Sequence, residues 1–292
     1  MTDEHGRFRV RSNFHAPPPE FDGCFTTFYH LSLEVADSGT VSDHLQPEWG
    51  NIRFFAGSRP KARIGDSEVE GARFTATGPS TLPAHFELGS AEMWGIGFLP
   101  LGWARFIARD AEDLCNVVCD GEKDAAFSKF APLIQPLCDD RLDRQAQFDA
   151  IVEAMRSLMQ PSRDEERIRR VHKAMIEPAV TTVADFAERS ELSVRSLERL
   201  CCRYFGFSPK LLLRRQRFMR SLATFMLDPG ANWTAAMDEH YHDQAHFTRE
   251  FRQFMGMTPT EYAALPHPIL ASFVEARARM WGSAAQTLDK PG

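Results

Sequence analysis

The sequence predicts an α+β protein of two parts, an N-terminal β-barrel or sandwich followed by helices and a C-terminal all-helical part. Three observations carry this. Short alternating segments bounded by Gly and Pro fill the chain to about Leu99. Apolar residues then recur at helical spacing from Pro100 onward. Finally, an eighteen-residue phrase, "LSVRSLERLCCRYFGFSP", returns 50 residues later as "HDQAHFTREFRQFMGMTP".

A chain of 292 residues suggests about two domains, and 43% apolar residues suffice for ordinary cores. No apolar run approaches the roughly 18 residues of a membrane span. The first twenty residues lack the apolar centre of a secretory signal, so a cytoplasmic protein is expected. Six cysteines, with no C-x-x-C pair among them, suit reduced thiols rather than a zinc or redox motif. The net charge of −6 is uneven. Residues 1–162 carry 15 basic and 24 acidic side chains, a net −9, whereas residues 163–265 carry 16 and 14, a net +2. From Arg195 to Arg220, eight basic residues face one acid, Glu198. Such a basic stripe on an acidic protein suits phosphate contact, although a solvated helix face would read the same way.

Taken in order, Pro17, Pro18 and Pro19 mark an extended lead-in. Asn51–Gly57, Ser67–Gly78 and Ala91–Leu99 read as strands. Helices are expected over Pro100–Asp110, Asp124–Asp140 and Arg144–Gln160. In the last, Phe148, Ile151, Val152, Met155, Leu158 and Met159 form an apolar face that either covers the barrel or pairs with a second copy. Residues 1–160 are taken as the first domain and 161–167, a polar stretch opened by Pro161, as a linker. Residues 168–265 form the helical domain, and 266–292 a tail with one short helix and a frayed end.

Each copy of the repeat spells a helix-turn-helix. Thr182 caps a first helix that turns Val183, Phe186 and Ala187 inward. Ser193 caps a second helix with Leu197, Leu200, Cys201 and Tyr204 or Phe205 inside, and Gly206 ends it. In the second copy, Asn232 and Asp243 are the caps, Phe247, Phe251 and Phe254 the inner face, and Gly256 the stop. Ser208-Pro209 and Thr258-Pro259 each read as the start of a further helix. Between the copies, Lys210–Leu227 predicts a helix about 27 Å long at 1.5 Å per residue. Two readers on one face of DNA must sit about 34 Å apart, so a rigid spacer of this length suits two adjacent major-groove segments.

With these residues the C-terminal part resembles the AraC/XylS family of bacterial transcription regulators. The resemblance covers Ile168 to Leu265 and is strongest over "DQAHFTREFRQFMGMTPTEYAA", Asp243–Ala264. Glu191 and His240 stand where the family usually has a turn glycine, Cys201 where it has an aromatic residue, and Ala263 where it often has arginine. The resemblance implies a sequence-specific regulator binding a double-stranded DNA operator, an activator touching RNA polymerase, and a homodimer. It also implies a cupin-like N-terminal barrel for an unidentified small-molecule effector.

The candidate base-contact residues are Arg195, Ser196, Glu198 and Arg199 on the first reading helix, and Gln244, Ala245, Thr248 and Arg249 on the second. Arg203, Ser208, Lys210, Arg214, Arg215, Arg252 and Thr258 are candidate phosphate contacts. Trp49, Arg53, Phe54, His85 and Trp94 are candidates for lining an effector site. His15, His30, His44 and His85 show no metal-binding spacing, and no phosphate-binding glycine loop or nucleophile motif occurs. No catalytic residue, metal, cofactor or membrane contact is therefore expected. The rival readings are a barrel enzyme with a helical tail that does not bind DNA, and an oligomeric protein that modulates other regulators.

Overall fold

The computed structural model describes residues 7–138, 142–228, 233–282 and 284–291. Its N-terminal part contains β1 (Phe8–His15), β2 (Phe25–Val35), β3 (Val41–Leu45), β4 (Asn51–Gly57), β5 (Lys61–Ile64), β6 (Ser67–Glu70), β7 (Phe74–Thr77), β8 (Ala84–Leu88) and β9 (Ala91–Phe98). Helix α1 (Pro100–Phe106), β10 (Val118–Asp120), α2 (Ile134–Cys138) and α3 (Arg144–Leu158) follow.

The strands form two antiparallel sheets, ordered β1-β2-β9-β4-β7-β10 and β3-β8-β5-β6. The β-rich prediction holds; among the described residues the strand ladders form two sheets, joined at one edge where Val118 N of β10 donates to Ser67 Oγ of β6 at 3.1 Å and that hydroxyl donates to Val118 O at 2.9 Å. The segment Ser67–Gly78 is two strands rather than one, because the chain turns at Gly71, whose φ is +73°. The helix expected over Asp124–Asp140 is a 3₁₀ segment, Ser128–Leu133, and then the short α2. Pro132 and Pro136 lie inside that stretch and remove backbone donors, and residues 139–140 are outside the described residues.

Both faces of the larger sheet are covered, which is why the first nine residues of β2 are all buried. One face meets the smaller sheet through Tyr29, Leu31, Phe55 and Met93. The other, with Phe28, Ile52, Phe54, Trp94 and Ile96, meets the helices. Helix α3 lies on that second face. Ile151, Val152 and Met155 are buried, and Trp94 Nε1 donates to Gln147 Oε1 at 2.8 Å. Its apolar stripe therefore covers the protein's own sheet and leaves Gln145, Asp149, Glu153 and Arg156 outside.

The C-terminal part comprises α4 (Glu165–Ile176), α5 (Val183–Arg189), α6 (Val194–Leu200), α7 (Pro209–Leu227), α8 (Trp233–Ala236), α9 (Gln244–Met255), α10 (Pro259–Ala263) and α11 (Leu270–Trp281). It shares the core of the β part. Phe186, Leu197, Cys201, Phe205 and Leu212 belong to one continuous cluster with Trp49, Ile52 and Trp103. The second helix-turn-helix has its own cluster, in which Phe218 and Phe225 of α7 meet Phe247, Phe251 and Phe254.

The tail differs from the frayed end expected. Helix α11 packs on β1, and Thr287 and Asp289 beyond it are buried. Gln216 Nε2 of α7 donates to Thr287 O at 2.6 Å, Asn51 Nδ2 donates to Gln286 Oε1 at 3.2 Å, and Arg277 pairs with Asp289. Polar composition alone suggested fraying. Backbone and side-chain bonds to distant elements hold the segment instead.

Candidate nucleic-acid interface

Local chemistry sets the ends of the helices. Thr182 Oγ1 accepts from Asp185 N at 3.1 Å, Ser193 Oγ from Ser196 N at 3.2 Å, and Asp243 Oδ1 from His246 N at 2.6 Å. Ser208 caps α7, and Thr258 with Glu261 forms a capping box on α10. Helix α6 runs on as one π turn, Cys201–Phe205, and Gly206 ends it in the left-handed region at φ +84°; Gly256 does the same for α9 at φ +71°. The first helix of the second unit, α8, is a single turn. Asn232, its expected cap, lies outside the described residues.

The two turns solve the missing glycine differently. Glu191 takes the left-handed conformation itself, at φ +54°. His240 does not. Asp238 Oδ1 accepts from both His240 N, at 3.0 Å, and His240 Nδ1, at 2.9 Å, which fixes the turn through a side chain.

On α6, Arg195, Glu198 and Arg199 are exposed and Ser196 is half-buried, while Leu197 and Leu200 point inward. On α9, Gln244, Ala245 and Arg249 are exposed, Thr248 is half-buried and Phe247 is buried. Arg199 and Arg249 thus occupy equivalent outward positions. Lys210 and Arg252 are also exposed. Arg203 forms an exposed ion pair with Asp110 of the β part, at 3.1 Å.

A cleft of about 680 Å³ opens between the two units, walled by Lys210, Arg214, Arg217 and Arg220 from α7 and by Arg249 from α9. Its floor holds a carboxylate the sequence reading missed. Glu250 is buried and accepts from Arg214 Nε at 2.6 Å, Arg217 Nη2 at 2.8 Å and Tyr241 Oη at 2.8 Å. Burial raises its pKa, but these three donors outweigh burial and hold the carboxyl below its ordinary value. Arg214 is therefore held by Glu250 and Gln253, and its first role is to clamp α9 to α7 rather than to wait for phosphate. Only the (i, i+3) spacing of Arg214 and Arg217 marks their shared face in the sequence. Their partner lies 33 or more residues away.

Arg215 departs furthest from expectation. It is fully buried, with its guanidinium 4.1 Å above the Trp49 ring and Nη1 donating to Ser80 O at 3.1 Å. It cannot reach phosphate. Trp49 is accordingly part of the contact between the β part and α7, not the lining of an effector site. His172, edge-on to Trp49 and Phe205, is pushed down to a pKa of about 3 by burial and stays neutral.

Of the other effector candidates, only Arg53 faces the space between the sheets. The period of two along a strand sends its neighbour Phe54 to the opposite face, stacked on Phe74 at 4.5 Å. Trp94 is likewise on the helix-covered face. His85 points away from the inter-sheet space and meets Ser42 Oγ at 2.9 Å. Arg53 itself pairs with Glu48 and donates Nε to Tyr29 Oη at 2.8 Å.

A helix-turn-helix domain family matches residues 186–264, which span both units and the spacer helix. The chain therefore carries a helix-turn-helix domain in its C-terminal part. Among solved structures it is similar to ToxT from Vibrio cholerae, at 11% identity, over 88% of this chain and 98% of that one, with a TM-score of 0.41. A structure of ToxT from strain SCE256 with an unsaturated fatty acid bound aligns at 10% identity, over 90% and 97%, with a TM-score of 0.40. The AraC-like transcriptional activator CuxR aligns at 15% identity, over 73% and 86%, with a TM-score of 0.27. No curated protein sequence matches the chain significantly. No helix among the described residues is long and apolar enough to cross a membrane.

Proposed function

We propose that the protein activates transcription in the cytoplasm by laying α6 and α9 in adjacent major-groove segments, with Arg199 and Arg249 reading base edges. The observation that carries this reading is the equivalent outward placement of these two arginines on two capped helices joined by one rigid helix. Lys210 and Arg252, both exposed, supply charge for the phosphates between the segments. The β part senses a small effector, a second copy extends the operator, and the exposed surface of the helical part contacts RNA polymerase. Since α3 uses its apolar stripe on its own sheet, a dimer would form through some other surface.

The test is binding of the purified protein to its own upstream intergenic DNA against a scrambled duplex, at two salt concentrations. Preference for the native duplex that weakens with salt is expected. Equal binding to both duplexes, with and without the segment before Ser162, would refute the reading.

A further inference from the structure

The space between the two sheets has a mouth, and the protein closes it with its own C-terminal extension. Leu31, Phe55, Phe86, Leu88 and Met93 line the space, and Ile269 and Phe273 enter from the start of α11. Phe273 sits edge-on to Phe14 at 5.6 Å and to Tyr29 at 5.3 Å, and Ile269 is buried. With both in place, about 50 Å³ remains, far below the roughly 300 Å³ at which ligand pockets begin.

The plug is held by polar groups of the β part. Asp43, itself buried, accepts from Ile269 N and Leu270 N, both at 2.8 Å. Ser272 Oγ meets Ser12 Oγ of β1 at 3.0 Å. Just before the plug, His267 takes φ +44°, a strained conformation that persists only while its surroundings impose it. Beyond the plug, Thr287 O binds Gln216 in the middle of α7, the helix that spaces the two readers. One segment thus touches both the inter-sheet space and the spacer.

We propose that the inter-sheet space is a binding site for an uncharged, apolar small molecule, that Ile269 and Phe273 occupy it in the closed state, and that ligand binding and tail docking exclude one another. This deepens the sensor reading above and rests on it. The ligand class follows from the lining. Its walls are apolar, and its one cation, Arg53, is already neutralised by Glu48 and bonded to Tyr29. A ligand there meets no unpaired charge. Release of the tail removes the Gln216–Thr287 bond and so frees α7 from one of its supports.

Two opposite perturbations of the full-length protein test this, with the neutral fluorophore N-phenylnaphthylamine as probe and its charged analogue anilinonaphthalene sulfonate as comparison. Phe273→Ala is expected to tighten binding of the neutral probe at least about tenfold, because apparent affinity scales with the open fraction. Ser12→Cys with Ser272→Cys, oxidised to a disulfide confirmed by peptide mapping, is expected to abolish binding, and reduction to restore it. Unchanged affinity in a Phe273→Ala protein with a native melting transition would overturn the proposal. So would a cross-linked protein that binds as well as its reduced form. Stronger binding of the charged analogue would overturn the uncharged ligand class. Operator preference of the unaltered protein is a separate readout, so loss of the regulator reading would be visible independently of these outcomes.

Discussion

Arg215 lies over Trp49, its guanidinium carbon 4.1 Å from the ring centre, and this contact joins the spacer helix of the helix-turn-helix part to the β part. The pair is enclosed by Phe207 and by the backbone of Ser80, and the Nε and Nη2 atoms of Arg215 have no hydrogen-bond partner among the described residues. A buried cation so sparsely bonded contributes mainly through packing. Arg215→Met is therefore expected to change stability by less than about 1 kcal/mol, whereas Arg215→Ala should cost about 2–4 kcal/mol by leaving a cavity. Neither should alter the salt slope of DNA binding. Denaturant unfolding and a salt titration of operator affinity check both points.

Glu191 offers the opposite sign. A non-glycine side chain at φ +54° is strained, and its ion pair with Arg170, at 3.8 Å, is exposed and adds little. Glu191→Gly should stabilise the first unit by about 1 kcal/mol, seen as a higher melting temperature. His240→Gly should not, since His240 avoids that region and its side chain binds Asp238.

Glu250 makes the second unit sensitive to acid. Its folded pKa lies below the ordinary value, so its contribution is fully present above the unfolded pKa of about 4.3 and is lost as pH falls through the folded value. Glu250→Ala should cost about 3 kcal/mol, because it leaves Arg214 and Arg217 without their shared carboxylate. Hydrogen exchange should localise the loss to α9 and its contacts with α7, and the difference from wild type should shrink as pH falls from the unfolded pKa through the lower folded value.

Base reading and phosphate contact separate by their salt behaviour. Arg249→Ala should weaken specific binding by about 1–3 kcal/mol and relax base choice at one position. Lys210→Ala should weaken all sequences alike and reduce the salt slope by about one. Competition against a panel of single-base operator variants distinguishes them.

The parts of this structure that were legible in the sequence are those set over a few residues. Thr182, Ser193, Ser208, Asp243 and Thr258 each cap a helix by accepting a bond from the backbone three residues on, and such a bond can be read from local spacing alone. The glycine stops at Gly206 and Gly256, the inward Phe247, Phe251 and Phe254, and the repeat itself are of the same kind. The strand Asn51–Gly57 is readable too, but local pattern does not tell which of its faces meets the inter-sheet space, and so does not separate Arg53 from Phe54.

The sequence by itself determined two capped helix-turn-helices, a spacer of DNA dimensions and a β-rich leader. The tertiary structure alone decided what a given basic or apolar residue does within that frame. Arg215 and Arg199 look alike in a basic stripe, yet one is buried against a tryptophan 166 positions earlier and the other faces solvent. Ile269 and Phe273 look like part of a loose tail, yet they fill the space between two sheets whose last strand ends at Asp120. Caps and turns follow from the chain's own short-range geometry. Burial follows from which distant surface arrives to cover a side chain, and that depends on how every element packs at once.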